Sequence, residues 1–309
     1  MQKFLGIDVG GTHIKCGIVT MNGEILHQIK FRTSELQVLD SFVDGFTKIV
    51  KDLLLEFTDV RQVGIGVPGT LNKARTHTEE LPNVPQLNHV NLLERLQGAL
   101  PGVSFRLEND ANAAALGEYH FSGQPMPEDF IFLTMGTGIG GAAILDRTIF
   151  KGGDGNGMEV GHIMSEGGKR LEEHIGKKGI LNMVSEGLLR HKEKSLMYGL
   201  ELINTKVLVD SASQDDLLAK EVFKNTGRLL GEGLVSIIRV LDIKNIYIGG
   251  GISASFDFVY PSLMEALTTH LTPYYTSALS VKKAVLGNEA GILGAASLCF
   301  DNTLQQRET

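Results

Sequence analysis

The sequence predicts an α/β protein of two lobes built on one repeated plan, and three observations carry that expectation. The chain has 309 residues, 42% of them hydrophobic; single cores stop growing near this size, so two are expected. Short apolar runs of strand length alternate with stretches whose apolar residues recur at helical spacing. One device also occurs twice. Leu5-Gly6-Ile7-Asp8-Val9-Gly10-Gly11-Thr12 is followed by an apolar run from Ile14 to Val19, and Phe130 to Thr137 continues through Gly138-Ile139-Gly140-Gly141 into Ala142 to Leu145, so that Gly10 falls on Gly136 and Ile18 on Ile144. A strand–glycine loop–strand unit used once per half suggests duplicated lobes whose two phosphate-holding loops face each other across a cleft.

The physics of that device is direct. Glycines permit the backbone values a tight loop needs and let N–H groups approach an anion, while Asp8 sits where it faces a bound cation. Taken alone, a glycine pair after a strand is more often a plain hairpin turn. The second copy favours the phosphate loop.

From Phe4 to Ile29 three β-prone runs form a meander, with Asn22-Gly23 suited to a type I′ turn. Ser34 is placed to cap a long amphipathic helix through Leu36, Leu39, Phe42, Val43, Phe46, Ile49, Val50 and Leu53. Val63 to Val67 reads as a buried strand ending at Pro68-Gly69, followed by a long loop containing Pro82, Asn83 and Pro85. A helix around Leu92 to Leu96 and a strand from Val103 to Leu107 lead into Glu108-Asn109-Asp110-Ala111-Asn112. Helix capping accounts for one of those polar residues and does not need all three of Asn109, Asp110 and Asn112.

Gly136, Gly138 and Gly141 also satisfy the dinucleotide fingerprint G-x-G-x-x-G. That motif needs a helix after its glycines to hold a pyrophosphate, whereas Ala142 to Leu145 runs into the Asp146-Arg147 turn and reads as a returning strand. Beyond it come a glycine-rich loop from Gly152 to Gly157, Glu159 and His162, and a helical stretch from Lys169 to Ile175 bearing Glu172 and Glu173. A solvated charged face explains most such glutamate pairs. A long helix from Asp215 to Leu241, a strand from Asn245 to Ile248 ending in Gly249-Gly250-Gly251, a cap at Ser253, a strand from Val281 to Val285, a small-residue helix from Ala290 to Leu298 and a frayed tail from Asp301 complete the reading.

A net charge of −7 and a pI near 5.7 argue against nucleic acid as a partner, because phosphate backbones are bound through concentrated Lys and Arg. The two cysteines, Cys16 and Cys299, lie inside apolar segments and read as buried hydrophobes. No basic leader and no span of membrane length is evident, so a cytoplasmic protein with no membrane partner is expected.

Asp8-x-Gly10-Gly11-Thr12, Asn109-Asp110-x-Asn112, Gly136-Thr137-Gly138-x-Gly140-Gly141, Glu159-x-Gly161-His162 and Gly249-Gly250-Gly251 stand in one order from about Phe4 to about Leu298. Each is weak alone. Together they resemble the ROK family (repressor, open reading frame, kinase), most closely its glucokinase-like sugar kinases. The resemblance implies an actin-like, hexokinase-like fold with ribonuclease H-like duplicated lobes, residues 1–118 and 119–309, the last helix returning to the first lobe. It implies a homodimeric hexose kinase using ATP and Mg²⁺, with glucose the first candidate for acceptor.

By the same resemblance Asp110 is the general base toward a sugar hydroxyl, normally the 6-hydroxyl, and Asn109 fixes a neighbouring hydroxyl. Glu159 and His162 hold hydroxyls across the ring, and the loop at Gly69 and Asn83 closes over it. Gly10, Gly11, Thr12, Gly136, Thr137 and Gly138 bind the donor's phosphates; Asp8 faces Mg²⁺ through water; and Gly249, Gly250 and Gly251 leave room for adenosine. One departure stands out. The family's cysteine-rich zinc segment is missing after His162, where Ile163 to Lys169 holds no cysteine, so structural zinc is not expected. Glu172 is then the best match for a further sugar-binding glutamate, with Glu173 second, and inorganic polyphosphate stands beside ATP as donor. Repressors of the family carry a helix-turn-helix ahead of the kinase-like part. Here the first strand begins at Phe4, which leaves a regulator or a non-catalytic sugar-binding protein as the lesser readings.

Overall fold

The computed structural model describes residues 2–36, 41–191 and 194–300, apart from the side chains at 191, 252 and 253. The chain divides into two compact units: Met1–Glu128, Ala142–Met158 and Val285–Thr309 form the first, and Asp129–Gly141 with Glu159–Ala284 the second. The expected helix position Leu39, the Ser253 cap and the tail from Asp301 lie outside the described residues.

In the first unit β1 (Lys3–Val9), β2 (His13–Thr20) and β3 (Ile25–Arg32) form an antiparallel meander. β4 (Gln62–Val67) and β5 (Ser104–Asn109) extend it in parallel, giving the order β3-β2-β1-β4-β5. Parallel addition needs crossovers, which α1 (Thr33–Leu36), α2 (Phe42–Glu56) and α3 (Leu92–Ala99) supply. The two-residue period of β1 sorts its side chains. Leu5, Ile7 and Val9 share a core with Phe42, Phe46 and Val50 of α2 and with Leu92 and Leu96 of α3. Phe4, Gly6 and Asp8 face the other way. α4 (Asp110–Phe121) follows β5 directly.

Two local expectations are corrected. The helix does not run on from Ser34: Ser34 lies inside α1, and Ser41 is extended (φ −143°, ψ 125°) and caps α2, its hydroxyl accepting from the Asp44 N–H at 3.4 Å. At Asn22-Gly23 the strands separate over Met21 to Glu24, and only Gly23 has a left-handed backbone, φ 82°. A type I′ turn needs positive φ at both central residues, so this is a wider turn.

The second sheet comprises β6 (Phe130–Met135), β7 (Ile139–Leu145), β8 (Thr148–Ile149), β9 (Asn245–Gly249) and β10 (Ser280–Lys283). Its order β8-β7-β6-β9-β10 repeats β3-β2-β1-β4-β5 place for place. β7 returns antiparallel into β8, as expected, and no helix follows its glycines. Helices α5 (Leu171–Ile175), α6 (Lys177–His191), α7 (Thr205–Ser213), α8 (Leu217–Leu241), α9 (Phe256–His270) and α10 (Pro273–Thr276) belong to the second unit. α8 begins two residues later than expected because Asp215 is left-handed at φ 65° and the Asp216 carboxylate caps the helix through Ala219 N at 2.8 Å.

Strand β10 ends at Lys283, short of the expected Val285, because the N–H groups of Val285 and Leu286 donate to the buried Glu118 carboxylate at 2.6 and 3.1 Å. The chain then enters α11 (Ala290–Ser297), which covers the second face of β1 and β4 in the first unit. Backbone meets backbone there: a Cβ on Gly6 would stand 2.1 Å from Ile292 O, and one on Gly64 1.7 Å from Ala295 O. Glycine is required in both strands because nothing larger fits under the helix. Among the described residues no helix is long and apolar enough to cross a membrane.

Candidate active site

β5 runs into α4 without a loop, so Asn109 and Asp110 stand where a strand becomes a helix. Asn109 is extended (φ −63°, ψ 145°) and caps α4, its Oδ1 accepting from the N–H groups of Ala111 at 2.9 Å and Asn112 at 3.2 Å. Its Nδ2 donates to Gly69 O at 3.1 Å, which joins the loop after β4 to the junction and leaves one amide N–H beyond these bonds. Asp110 is the first helical residue, and its Oδ1 accepts from Ala111 N at 2.8 Å. A carboxylate in a first turn faces the positive end of the helix dipole, which favours its charged form.

Behind this junction lies a buried ionic cluster that sequence reasoning missed. Glu108 is 3% exposed and receives Arg75 at 3.0 Å, Lys151 at 3.5 Å, Asn112 Nδ2 at 3.1 Å and the N–H of Asn109 at 2.9 Å. The Arg75 guanidinium also donates to Gly155 O and to Asn156 Oδ1, and the Asn156 amide exchanges two hydrogen bonds with the backbone of Leu71. Three segments distant in sequence thus converge on the carboxylate next to Asn109. Glu108 is adjacent to the predicted motif, so it had a signal; Arg75 had none.

Asp8 stands between the buried Ile7 and Val9 of β1 and pairs with Lys15 at 2.9 Å, both side chains about one-fifth exposed. The antiparallel register sets Asp8 opposite Lys15. Lys15 Nζ also donates to Asn288 O at 3.2 Å. Gly10 N donates to His13 O at 2.9 Å, and Thr12 O accepts from Thr33 N at 3.0 Å. A left-handed backbone is the exception among the candidate glycines. Gly10, Gly11, Gly136 and Gly138 are not left-handed, and of the candidate glycines only Gly69 (φ 90°) and Gly250 (φ 84°) are. At Gly11 the requirement is closeness, because a Cβ would stand 2.6 Å from the Cβ of Asn83. The first glycine loop therefore touches the loop after β4.

In the second unit three predicted residues come together. His162 lies 3.7 Å from Glu159 Oε2 through Nδ1 and 3.3 Å from Glu172 Oε1 through Nε2, and Arg170 approaches the same Glu172 oxygen at 3.6 Å. Glu173 turns away from them: its carboxylate accepts from Arg170 N at 2.8 Å and Arg170 Nε at 3.3 Å, capping α5. Burial pushes the Glu159 carboxyl above its ordinary value; His162 opposes that rise and the Glu172 carboxylate adds to it. The loop of Gly136, Thr137 and Gly138 is tied to α6 by Lys177 N donating to Gly136 O at 3.1 Å. Gly249 and Gly250 are packed against Phe132 and Met135, whereas a Cβ on Gly251 would meet open space. Beside Gly251 opens a cavity of about 260 Å³ lined by Ile180, Lys206, Asp210, Phe223 and Ala254 among others.

The sequence profile of the ROK family matches residues 4–302. The chain belongs to the ROK family. It is 30% identical over 312 residues to the glucokinase of Thermotoga maritima, covering 96% of each chain. A crystal structure of a ROK family glucokinase from Streptomyces griseus, in complex with glucose and AMPPNP, superposes with a TM-score of 0.82 at 27% identity, over 96% of this chain and 98% of that one. A Cytophaga hutchinsonii protein superposes with a TM-score of 0.90 at 41% identity, over 96% and 99%. The fold is the actin-like, hexokinase-like α/β architecture that the repeated strand order embodies.

Proposed function

We propose that this ROK family chain transfers the terminal phosphoryl group of ATP to the 6-hydroxyl of a hexose, with glucose the first candidate and Asp110 the general base. The chain is a sugar kinase. The observation that carries the assignment of the base is the β5–α4 junction, where Asn109 caps the helix and Asp110 is its first residue, with Oδ1 accepting from Ala111 N at 2.8 Å; a carboxylate is the group a base for a hydroxyl proton requires.

Phosphoryl transfer asks little covalent chemistry of a protein, so the remaining residues act by alignment and charge neutralisation. The unused amide N–H of Asn109 is suited to a hydroxyl beside the reacting one. Glu159 and Glu172 offer carboxylate oxygens to hydroxyls of the ring, and His162 between them offers a ring nitrogen. Their mutual geometry favours Glu172 over Glu173 as the second carboxylate. Gly69 and Asn83 belong to the loop that the Asn109 amide and Gly11 hold in place.

On the donor side, the backbone of Gly10, Gly11, Thr12, Gly136, Thr137 and Gly138 takes the phosphates, and the cavity beside Gly251 takes the base. Its volume of about 260 Å³ is close to the lower bound of about 300 Å³ for small-molecule pockets. Asp8 suits Mg²⁺ through water, because that ion retains its waters and takes one or two carboxylates alongside substrate phosphates. Bound Mg²⁺ neutralises charge on the transferred group.

A coupled assay of the purified chain crosses glucose, mannose and N-acetylhexosamines with ATP and polyphosphate. Turnover of glucose with ATP is expected. Absence of turnover with every sugar and donor removes the reading, and turnover with polyphosphate alone replaces the donor.

A further inference from the structure

We propose that Gly138, although it sits in the second glycine loop, is a positioning residue for the sugar side of the site, acting through the Glu172 carboxylate that fills its side-chain space. This rests on the reading of Glu172 as a sugar contact.

Gly138 is not left-handed, so its backbone does not demand glycine. Space does. A Cβ on Gly138 would stand 2.7 Å from Glu172 Oε2 and 3.8 Å from its Cδ, and beyond its chain neighbours meets no other group within 4 Å. Gly136, two residues earlier in the same loop, has nothing within 4 Å of its Cβ position. The two glycines of one motif therefore answer to different neighbours: the first leaves open room, and the second makes way for a carboxylate.

A second glycine also lies against that carboxylate. A Cβ on Gly161 would stand 3.1 Å from the same Oε2, as well as 2.4 Å from Ile139 O. Oε2 thus lies against both Gly138 and Gly161, while Oε1 faces His162 at 3.3 Å and Arg170 at 3.6 Å. A methyl group at 138 meets only the far end of a flexible side chain, so the fold accommodates it. The carboxylate must retreat from 2.7 Å toward ordinary contact at 3.4 Å or more. A displacement of several tenths of an ångström is enough to disturb a ligand held by directional hydrogen bonds. Gly161→Ala is a poorer probe, because its methyl meets backbone oxygen and disturbs the chain itself.

The test measures calorimetric affinity for glucose alone and for AMPPNP with Mg²⁺ alone in wild type, Gly138→Ala, Gly136→Ala, Glu172→Ala and Gly138→Ala/Glu172→Ala, with thermal melts confirming that each is folded. Gly138→Ala is expected to weaken glucose about 10- to 100-fold, by more than it weakens AMPPNP, on the scale of positioning effects. In the Glu172→Ala background it is expected to add no further loss for glucose, since the group it acts through is gone. A loss for AMPPNP as large as that for glucose, or an undiminished glucose effect without Glu172, overturns the assignment. If wild type binds glucose and Gly138→Ala binds it equally well, the inference alone fails; if wild type binds none of the hexoses in the panel, the reading of the site fails with it.

Discussion

Arg75 and Glu108 form an ion pair at 3.0 Å whose side chains are only 9% and 3% exposed, and Glu108 immediately precedes the capping residue of α4. Removing one member of such a pair strands a buried charge, which costs about 3–5 kcal/mol, whereas replacing both by apolar groups costs far less. Glu108→Gln, which keeps the size and an acceptor oxygen, is therefore expected to lose about that amount in urea unfolding. Arg75→Met/Glu108→Leu is expected to lose less than either single change. A loss below about 1 kcal/mol for Glu108→Gln would place the pair in the solvent-screened class.

Asp110 precedes Ala111 in a first turn whose cap is Asn109, so Asp110→Asn leaves the capping bonds in place. Turnover is expected to fall by about 10² to 10⁴ while sugar affinity persists, the range for loss of a general base. Steady-state kinetics with the sugar found in the panel measures both. Near-normal turnover takes Asp110 out of the mechanism.

Asn109 has two jobs that one substitution separates. Asn109→Asp retains the oxygen that caps α4 and removes the donor to Gly69 O. The cap itself is retained, since Asp and Asn cap equally well, so the stability lost is expected to be about 1–2 kcal/mol, for the carboxylate oxygen left facing Gly69 O, while the Michaelis constant for sugar rises. Asn109→Ala loses both, and its lost cap is expected to cost about 1 kcal/mol. Equal sugar constants in wild type and Asn109→Asp would show that the link to Gly69 has no bearing on the acceptor.

The Glu159 carboxyl lies above its ordinary value of 4.5 through burial, so the folded chain holds that proton more tightly than the unfolded one. Its favourable contribution to stability is present below the ordinary value and is lost as pH rises through the raised one. Sugar binding runs the other way, because a carboxylate that accepts from a hydroxyl disappears as pH falls through the raised value. The Michaelis constant for sugar is expected to climb on acidification from a point above 4.5, and Glu159→Gln is expected to start high and remain flat. An unchanged acid limb in Glu159→Gln assigns the titration elsewhere.

Burial pushes the thiols of Cys16 and Cys299 up to about 12, with Asp8 adding to the rise at Cys16. At pH 8 each is on the order of 10⁻⁴ thiolate and out of reach. A colorimetric thiol reagent is expected to titrate neither in the folded chain and both in urea. Rapid reaction of the folded chain would show that one core opens locally.

The sheets were legible because apolar runs and their punctuation are local: β1, β4, β5, β6 and β9 appear in the sequence within a residue or two, while β7 begins at Ile139, three residues inside the expected glycine loop. Local ambiguity explains the near misses, since Ser34 and Ser41 are equally good caps and only the extended backbone at Ser41 decides between them. The repeat of Gly10 on Gly136 exposed the duplication of both sheets. What the sequence concealed is what distance brings together. Nothing near Arg75 announces a carboxylate thirty-three residues later, and Gly138 looks like its neighbour Gly136 until Glu172 is seen against it.

Helix α11 has a consequence for how the polypeptide is born. β1 begins at Lys3, yet the helix that covers its Gly6 face comes from Ala290–Ser297. A ribosome adding about 5–20 residues per second leaves that face uncovered for roughly 15–60 s. The second unit, which ends at Ala284, has all its sequence available earlier. The half that leaves the ribosome first is the half completed last, and its bare glycine strands are where a nascent chain would most need a chaperone.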